Sequence, residues 1–225
     1  MINFYFILFS LLIGQLQAIG IDLSLGEALN IKQEIKVNSD SFKTTAKTKG
    51  FQNPQYYSVR LRKDRLELEL VHHKLYIENN LPSYINHLEL TDGYNLLLLN
   101  YTSSFKNNLH YRFGLGVPVV HPDITIQGDE VNLDSSRRLF ERGGGLIPKF
   151  WKEGYYPGGI TSQLSLFYRK EINEKIAYQI ETKVVYAKTQ FDLSYIDDDS
   201  EELNLDITIP NLSFHFLVGI SFGKQ

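Results

Sequence analysis

The C-terminal stretch of the chain alternates between apolar and polar residues over almost its whole length. Between Leu205 and Phe222 apolar residues recur at every second position, with one change of phase at Pro210 and Asn211. Strict alternation predicts a β-strand with one apolar and one polar face, and the phase change predicts a β-bulge. The same-face residues from Leu212 to Phe222 cover about the 9–11 residues that a tilted strand needs to cross a bilayer.

Similar alternation elsewhere predicts eight strands, at about residues 28–37, 55–62, 65–77, 88–102, 110–126, 159–170, 175–193 and 205–222. The connections at 63–64, 104–108 and 171–174 are short, and those between them are long. Short turns at one end, long loops at the other and an even strand number are typical of outer-membrane barrels. The sequence therefore predicts an all-β fold, an eight-stranded antiparallel up-and-down transmembrane β-barrel.

A soluble lipocalin-like barrel has the same periodicity with its apolar side chains inside, so periodicity alone does not decide between the two. The polar face carries charges of both signs, at Arg60, Arg62, Glu67, Glu69, Arg112, Glu181 and Lys183. Such charges are unsuited to a dry ligand cavity, but they can pair inside a narrow barrel. We therefore favour the membrane barrel and expect an interior network of Glu67, Glu69, Arg112, Glu181 and Lys183.

The N-terminus and the composition fit an exported membrane protein. The apolar run over residues 4–13 and the stretch ending at Ala18 predict a signal peptide at 1–18, followed by the barrel at 19–225. The chain has no cysteine, and its fourteen Tyr and fourteen Phe suit aromatic girdles at the membrane interfaces. A net charge of −3 argues against a nucleic-acid partner. We expect the protein to reside in the bacterial outer membrane.

On three neighbouring predicted strands the lipid-facing side turns from apolar to polar at a similar distance from the short turns. The polar residues are His72, Lys74, Tyr76, Thr91, Asn95 and His121. We expect one patch at the level of the outer-leaflet headgroups, where the glucosamine phosphates of lipid A sit. Two histidines with a nearby carboxylate, Asp92 or Asp123, suit a divalent metal or acid–base chemistry. Interfaces also tolerate polar residues, so a purely structural patch stays open.

Three segments carry a resemblance to a known family: residues 68–76 (LELVHHKLY), 91–95 (TDGYN) and 114–122 (GLGVPVVHP). They resemble a family of outer-membrane barrels that includes the bacterial lipid A oxidase. The resemblance implies a barrel that acts on or contacts lipid A, and the oxidase uses oxygen and a divalent metal to oxidise the proximal glucosamine. The match at His72, Lys74, Tyr76, Asp92, Asn95 and His121 implies the same possibility for this chain. With the patch, it makes His72, Asp92 and His121 the candidate catalytic residues and His72 and His121 the candidate metal ligands. The candidate substrate contacts are Lys74, Tyr76, Thr91 and Asn95.

The long loop at 127–157 is basic and contains a glycine triplet and Phe150-Trp151. Such a loop is suited to cover a phosphorylated headgroup, and we count Arg138 among the candidate substrate contacts. An ordinary external loop has the same composition. Two functions stay open: a lipid A-modifying enzyme, and a non-enzymatic barrel for membrane integrity or surface interaction. The expected partners are outer-membrane lipids, lipid A and the machinery that assembles barrels.

Overall fold

The computed structural model describes residues 19–52, 55–77, 80–126, 129–130, 156–196 and 202–223, so the predicted signal peptide lies outside the described residues. Thirteen strands occur in them: β1 (Gly20–Asn30), β2 (Gln33–Val37), β3 (Asp40–Thr44), β4 (Ala46–Lys47), β5 (Tyr57–Lys63), β6 (Leu66–Ile77), β7 (Ile85–Lys106), β8 (Leu109–Ile126), β9 (Asp129–Glu130), β10 (Tyr156–Pro157), β11 (Ile160–Asn173), β12 (Ile176–Ile196) and β13 (Glu202–Phe222). Among these residues, no helix has the length and hydropathy to cross a membrane.

Eight of the strands close into an antiparallel ring in the order β1-β5-β6-β7-β8-β11-β12-β13, because β13 pairs back onto β1. The hairpin of β2 and β3 extends the sheet beside β13, β4 pairs with β6, and β9 and β10 pair with β8. Two of the predicted short turns contain Asp64 and Asn107 with positive φ, which these residue types tolerate well. The predicted eight-stranded barrel is confirmed.

The prediction for the first strand was wrong. It was placed at residues 28–37, whereas the ring strand is β1 at Gly20–Asn30 and the following residues form the separate strand β2. Ile21, Leu23 and Leu25 alternate outward along β1. This alternation is short and follows directly on the apolar signal segment, so it does not stand out in the sequence.

The predicted bulge at Pro210 was also wrong. The ladder between β12 and β13 runs without a register shift, and Pro210 lies opposite Lys188. The opposite edge of β13 pairs with β1 over residues 213–222 and with β2 at residues 207 and 208, so Pro210 lies in the gap between these two pairings. A proline at that position interrupts neither of those two pairings, as is usual for proline in sheets.

The outer face of the ring carries a continuous apolar band. On β13 the outward residues from Phe214 to Phe222 are each between 40% and 53% exposed. The ten residue steps from Leu212 to Phe222 span about 23 Å along the barrel axis, at about 3.3 Å per residue and a tilt near 45°. This height matches the hydrocarbon-facing band of outer-membrane barrels.

The interior has two tiers, which explains the phase change in the sequence of β13. Near the short turns most inward residues are polar, and on β13 Ser213, His215 and Ser221 point inward together with the apolar Leu217. Beyond Asn211 the inward residues are Leu205, Ile207 and Ile209, which belong to one buried apolar cluster. The backbone keeps its phase while the apolar residues change from the outer face to the inner face. Above the lipid band, the barrel is therefore built like a soluble one, with an apolar core.

Candidate functional site

The polar residues predicted to form a patch lie on three adjacent strands of the ring. We call the outward residues His72, Lys74 and Tyr76 of β6, Asn95 of β7 and His121 of β8 the outer polar patch. His72 lies opposite Asn95, which in turn lies opposite Val119, two residues before His121. The register therefore gathers these strands at one level of the outer wall.

His72 is held in place by two contacts. Its imidazole Nδ1–H donates to Asn95 Oδ1 at 2.9 Å, and its ring stacks on that of Tyr57 with 4.9 Å between the ring centroids. The residue is only 6% exposed. Its Nε2 is buried and has no hydrogen-bond partner among the residues that the structure describes. This nitrogen is therefore a potential acceptor or metal ligand.

Lys74 has a different position from the one expected for a phosphate ligand, because its ammonium group is enclosed. It donates to the carbonyl oxygens of Lys49 at 3.0 Å and of Gln52 at 2.7 Å, and the residue has no exposed surface. On the neighbouring wall, Glu27 accepts hydrogen bonds from the backbone N–H groups of Ala28 and Gly50. Lys74 and Glu27 thus fix the segment that leads from β4 to β5.

Two lysines near the surface of this region come from β4 and from the segment that follows it. Lys49 Nζ lies 4.1 Å from the centroid of the Tyr76 ring, a cation–π contact. Lys47 is exposed and lies opposite Tyr76 in the pairing of β4 with β6. Sequence reasoning missed both lysines, because the pairing of β4 with β6 is not visible in the alternation of so short a strand.

The remaining candidate residues are more widely spread. His121 lies opposite Gly93, and two strand spacings of about 4.8 Å separate β8 from β6. Thr91 and Asp92 lie in β7 where its pairing shifts register between Glu89 and Gly93, but only their backbone is described. Arg138 lies outside the described residues. Joint action of His72, His121 and Asp92 stays a prediction.

The predicted interior network is present in the polar tier. Arg60 pairs with Glu69 at 2.7 Å and with Glu181 at 2.6 Å, and Arg112 pairs with Glu181 at 2.7 Å. Arg112 also pairs with Glu67, and Lys183 with Glu69 at 2.9 Å. The side chains in these five pairs have no exposed surface. The prediction is confirmed, with Arg60 as a further member.

A layer of rings separates the charged tier from the apolar tier. The His73 ring packs 4.9 Å from that of His215 and 5.4 Å from that of Tyr94. His215 bonds through Nδ1 to the Tyr56 hydroxyl and through Nε2 to the Ser213 hydroxyl, each at 2.7 Å. All four rings are buried. Together with the tiers on either side, this layer occupies the barrel interior with buried side chains.

Comparison with known proteins gives likeness of structure only. No protein-family model matches the chain, and no curated protein matches it in sequence. The crystal structure of the outer membrane protein OprG from Pseudomonas aeruginosa is similar at 13% identity and a TM-score of 0.51, covering 92% of this chain and 97% of OprG. The structure of the outer membrane protein AlkL in lipid bilayers is similar at 11% identity and a TM-score of 0.46, and the alignment covers 92% of this chain and 90% of the AlkL chain. The crystal structure of Neisserial surface protein A is similar at 8% identity and a TM-score of 0.41, and the alignment covers 91% of this chain and 96% of the Neisserial chain.

The likeness to OprG and the geometry of the chain agree on the fold. The ring closes through eight antiparallel strands, its outer face carries an apolar band of membrane height, and its buried charges face inward. Band and fold together place the protein in the outer membrane of a bacterium. The chain is an eight-stranded outer-membrane β-barrel.

Proposed function

We propose that this barrel contacts lipid A in the outer leaflet through the accessible residues of the outer polar patch, Tyr76, Asn95 and His121, together with the adjoining Lys47 and Lys49. The observation that carries the proposal is the change from apolar to polar side chains at one level of three neighbouring strands. His72 lies eight residues beyond Asp64, which corresponds to about 19 Å above that turn at 3.3 Å per residue and a tilt near 45°. This height falls in the upper part of an apolar band of about 25 Å.

The chemistry of the region suits a phosphorylated glycolipid. Lys47 and Lys49 supply ammonium groups for phosphate, and Tyr76 and Asn95 supply hydrogen-bonding groups for sugar hydroxyls. Charged side chains cost little free energy at the membrane interface, in contrast to the bilayer midplane. The enclosed Lys74 stabilises the segment that presents Lys49, because it binds the Lys49 carbonyl.

The filled interior favours a contact function over transport. Buried ion pairs, the layer of rings and the apolar cluster follow one another along the described part of the barrel. The interior of an eight-stranded barrel is just wide enough to be filled by side chains or to hold one small ligand. Among the residues that the structure describes, the outer wall is therefore the surface that we consider for contact with a large glycolipid.

The contact proposal can be tested by native mass spectrometry of the full-length protein in detergent micelles. We expect retention of bisphosphorylated lipid A, weaker retention of the dephosphorylated form, and about tenfold weaker retention for the variant K47Q/K49Q, the loss of about 1.4 kcal/mol. The matched control is K63Q/K106Q, which removes two exposed lysines at the opposite end of the barrel. Equal retention by both double variants would contradict the proposal.

A second candidate function is oxidase-like modification of lipid A, and the orphaned His72 Nε2 favours it. The resemblance implies a divalent metal, which His72, His121 and Asp92 would hold and which would supply oxygen chemistry when bound. Imidazole nitrogen and carboxylate oxygen suit such an ion. Positioned at headgroup level, this set would face the glucosamine disaccharide.

Mass spectrometry of lipid A from cells with and without the protein tests the oxidase function. We expect a gain of one oxygen that His72→Ala and His121→Ala each abolish, while heat-modifiable gel mobility shows that both variants still fold. Unaltered lipid A in cells that contain the folded wild-type barrel would exclude the oxidase function and leave the contact function in place.

A further inference from the structure

We infer that His87, Glu89 and Asp123 form a divalent metal site on the outer wall, beside the outer polar patch. His87 and Glu89 lie on β7, and Asp123 lies directly opposite Glu89 on β8. Their neighbours Leu88 and Ile124 point inward into the apolar cluster, so the three polar side chains share the outer face. The site lies at the apolar tier, outside the charged interior network.

The ligand atoms lie close to the arrangement that one ion needs. One ligand atom from each of the three residues lies within 4.8 Å of those of the other two. His87 Nε2 and Glu89 Oε2 are 3.4 Å apart. Two ligands at about 2.1 Å from a tetrahedral zinc ion are themselves about 3.4 Å apart. Only the exposed Asp123 side chain has to approach for all three ligands to meet.

A second pair of opposed carboxylates in the same barrel can be compared with this site. Asp192 and Asp206 also lie directly opposite each other, on β12 and β13. Like charges in directly opposed positions destabilise a sheet, and this applies to both acidic pairs. Among the described residues, however, no histidine lies close enough to Asp192 and Asp206 to complete a metal-binding group with them. The combination of an imidazole with two carboxylates distinguishes the site at His87 from an ordinary acidic pair.

The donor set indicates which ions the site would take. One imidazole nitrogen and two carboxylate oxygens suit borderline and hard divalent ions such as Zn²⁺ and Mn²⁺. Three protein ligands leave at least one coordination position for water or for an oxygen of another molecule. Glu89 lies opposite Tyr76, so the site lies next to the outer polar patch. The inference itself is independent of any contact with lipid A.

The test is calorimetric titration of Zn²⁺, and separately of Mn²⁺, into the untagged full-length protein in detergent free of lipid A. We expect a saturable binding event of one equivalent that depends on His87 and Asp123, distinct from any ion held by His72 and His121. His87→Ala and Asp123→Asn should each weaken binding by at least about tenfold, a conservative bound for losing one of three ligands. Asp206→Asn is the matched control and should leave the affinity unchanged, because it alters the acidic pair that lacks an imidazole.

Two results would overturn the inference. One is the absence of saturable binding of either ion to the wild-type protein. The other is equal affinity in His87→Ala and wild type, which would assign binding to other groups. Heat-modifiable gel mobility of each variant shows that the barrel is folded. Because the titration contains no lipid A, its failure would leave the proposed lipid contact untouched.

Discussion

The interior network offers a quantitative test of the barrel, because its charges balance. Its three cations face three anions, so the net charge is zero: Arg60, Arg112 and Lys183 against Glu67, Glu69 and Glu181. The substitution Glu181→Gln keeps the size of the side chain and removes one negative charge. The network then has three cations and two anions, and both arginines lose a carboxylate at 2.6–2.7 Å.

The cost of this substitution follows from the burial of both partners. Removing one member of a buried ion pair costs about 3–5 kcal/mol, because the remaining charge stays desolvated without compensation. The second substitution Lys183→Met restores neutrality and leaves two complete pairs, Arg60 with Glu69 and Arg112 with Glu67. We therefore expect the double variant E181Q/K183M to recover at least about 1 kcal/mol of the loss, as coupled neighbours do.

The assay is urea unfolding of the refolded barrel in detergent micelles, followed by heat-modifiable gel mobility. Glu171→Gln, at an exposed position near a short turn, serves as the control and should change the free energy of unfolding by no more than about 0.5 kcal/mol. The reasoning would be refuted if E181Q were as stable as wild type, or if the two substitutions destabilised additively.

Three further predictions concern the wall and the layer of rings. Gly159→Ala should cost about 1–3 kcal/mol in the same assay, since Gly159 has a φ of 100° and an added Cβ would clash with the Lys188 carbonyl oxygen; an unchanged stability would contradict this. Tyr56→Phe should cost about 1–3 kcal/mol, because His215 Nδ1 loses its 2.7 Å partner, and a neutral result would show that water replaces the hydroxyl. In planar bilayers the protein should give no ion conductance, and stable channel openings would show that the interior is not filled.

Most of the ring could be predicted from the sequence, because the lipid band imposes strict alternation. The predicted strand at 65–77 corresponds to β6 at Leu66–Ile77, and the predicted strand at 110–126 to β8 at Leu109–Ile126. Inward charges such as Glu69 and Arg112 lie between outward leucines or aromatic residues on these strands. The sequence therefore predicted that they would form ion pairs inside the barrel. Periodicity was sufficient on these long strands, where lipid covers one face.

The wrong prediction of a bulge arises because alternation records the environment of the side chains rather than the phase of the backbone. On β13 the apolar residues change faces where the outer surface passes from lipid to water, and this has the same appearance in the sequence as a bulge. The missed strand β1 also concealed Asp22, whose carboxylate pairs with Arg169 at 2.7 Å in a second interior ion pair.

At the candidate site, the sequence predicted the strands but not the surroundings of the side chains. It grouped His72 with Asn95 correctly, because both follow the lipid band on neighbouring strands. The enclosure of Lys74 depends on carbonyl groups of the segment before β5, and no residue pattern predicts where an irregular segment will lie. The outward cluster at His87 depends on the register between β7 and β8, which is set by the irregular pairing on either side of Glu89.

A cysteine scan along β13 tests the central claim most directly. Single cysteines from position 205 to 222 would be exposed in membranes to a bilayer-confined reagent and to a water-soluble reagent. We predict that even-numbered positions from 212 to 222 react with the bilayer-confined reagent and that positions 206 and 208 react with the water-soluble one, with odd-numbered positions protected throughout. Reaction at 205, 207 and 209 would show that the strand changes phase at Pro210 and would contradict the two-tier barrel in a membrane.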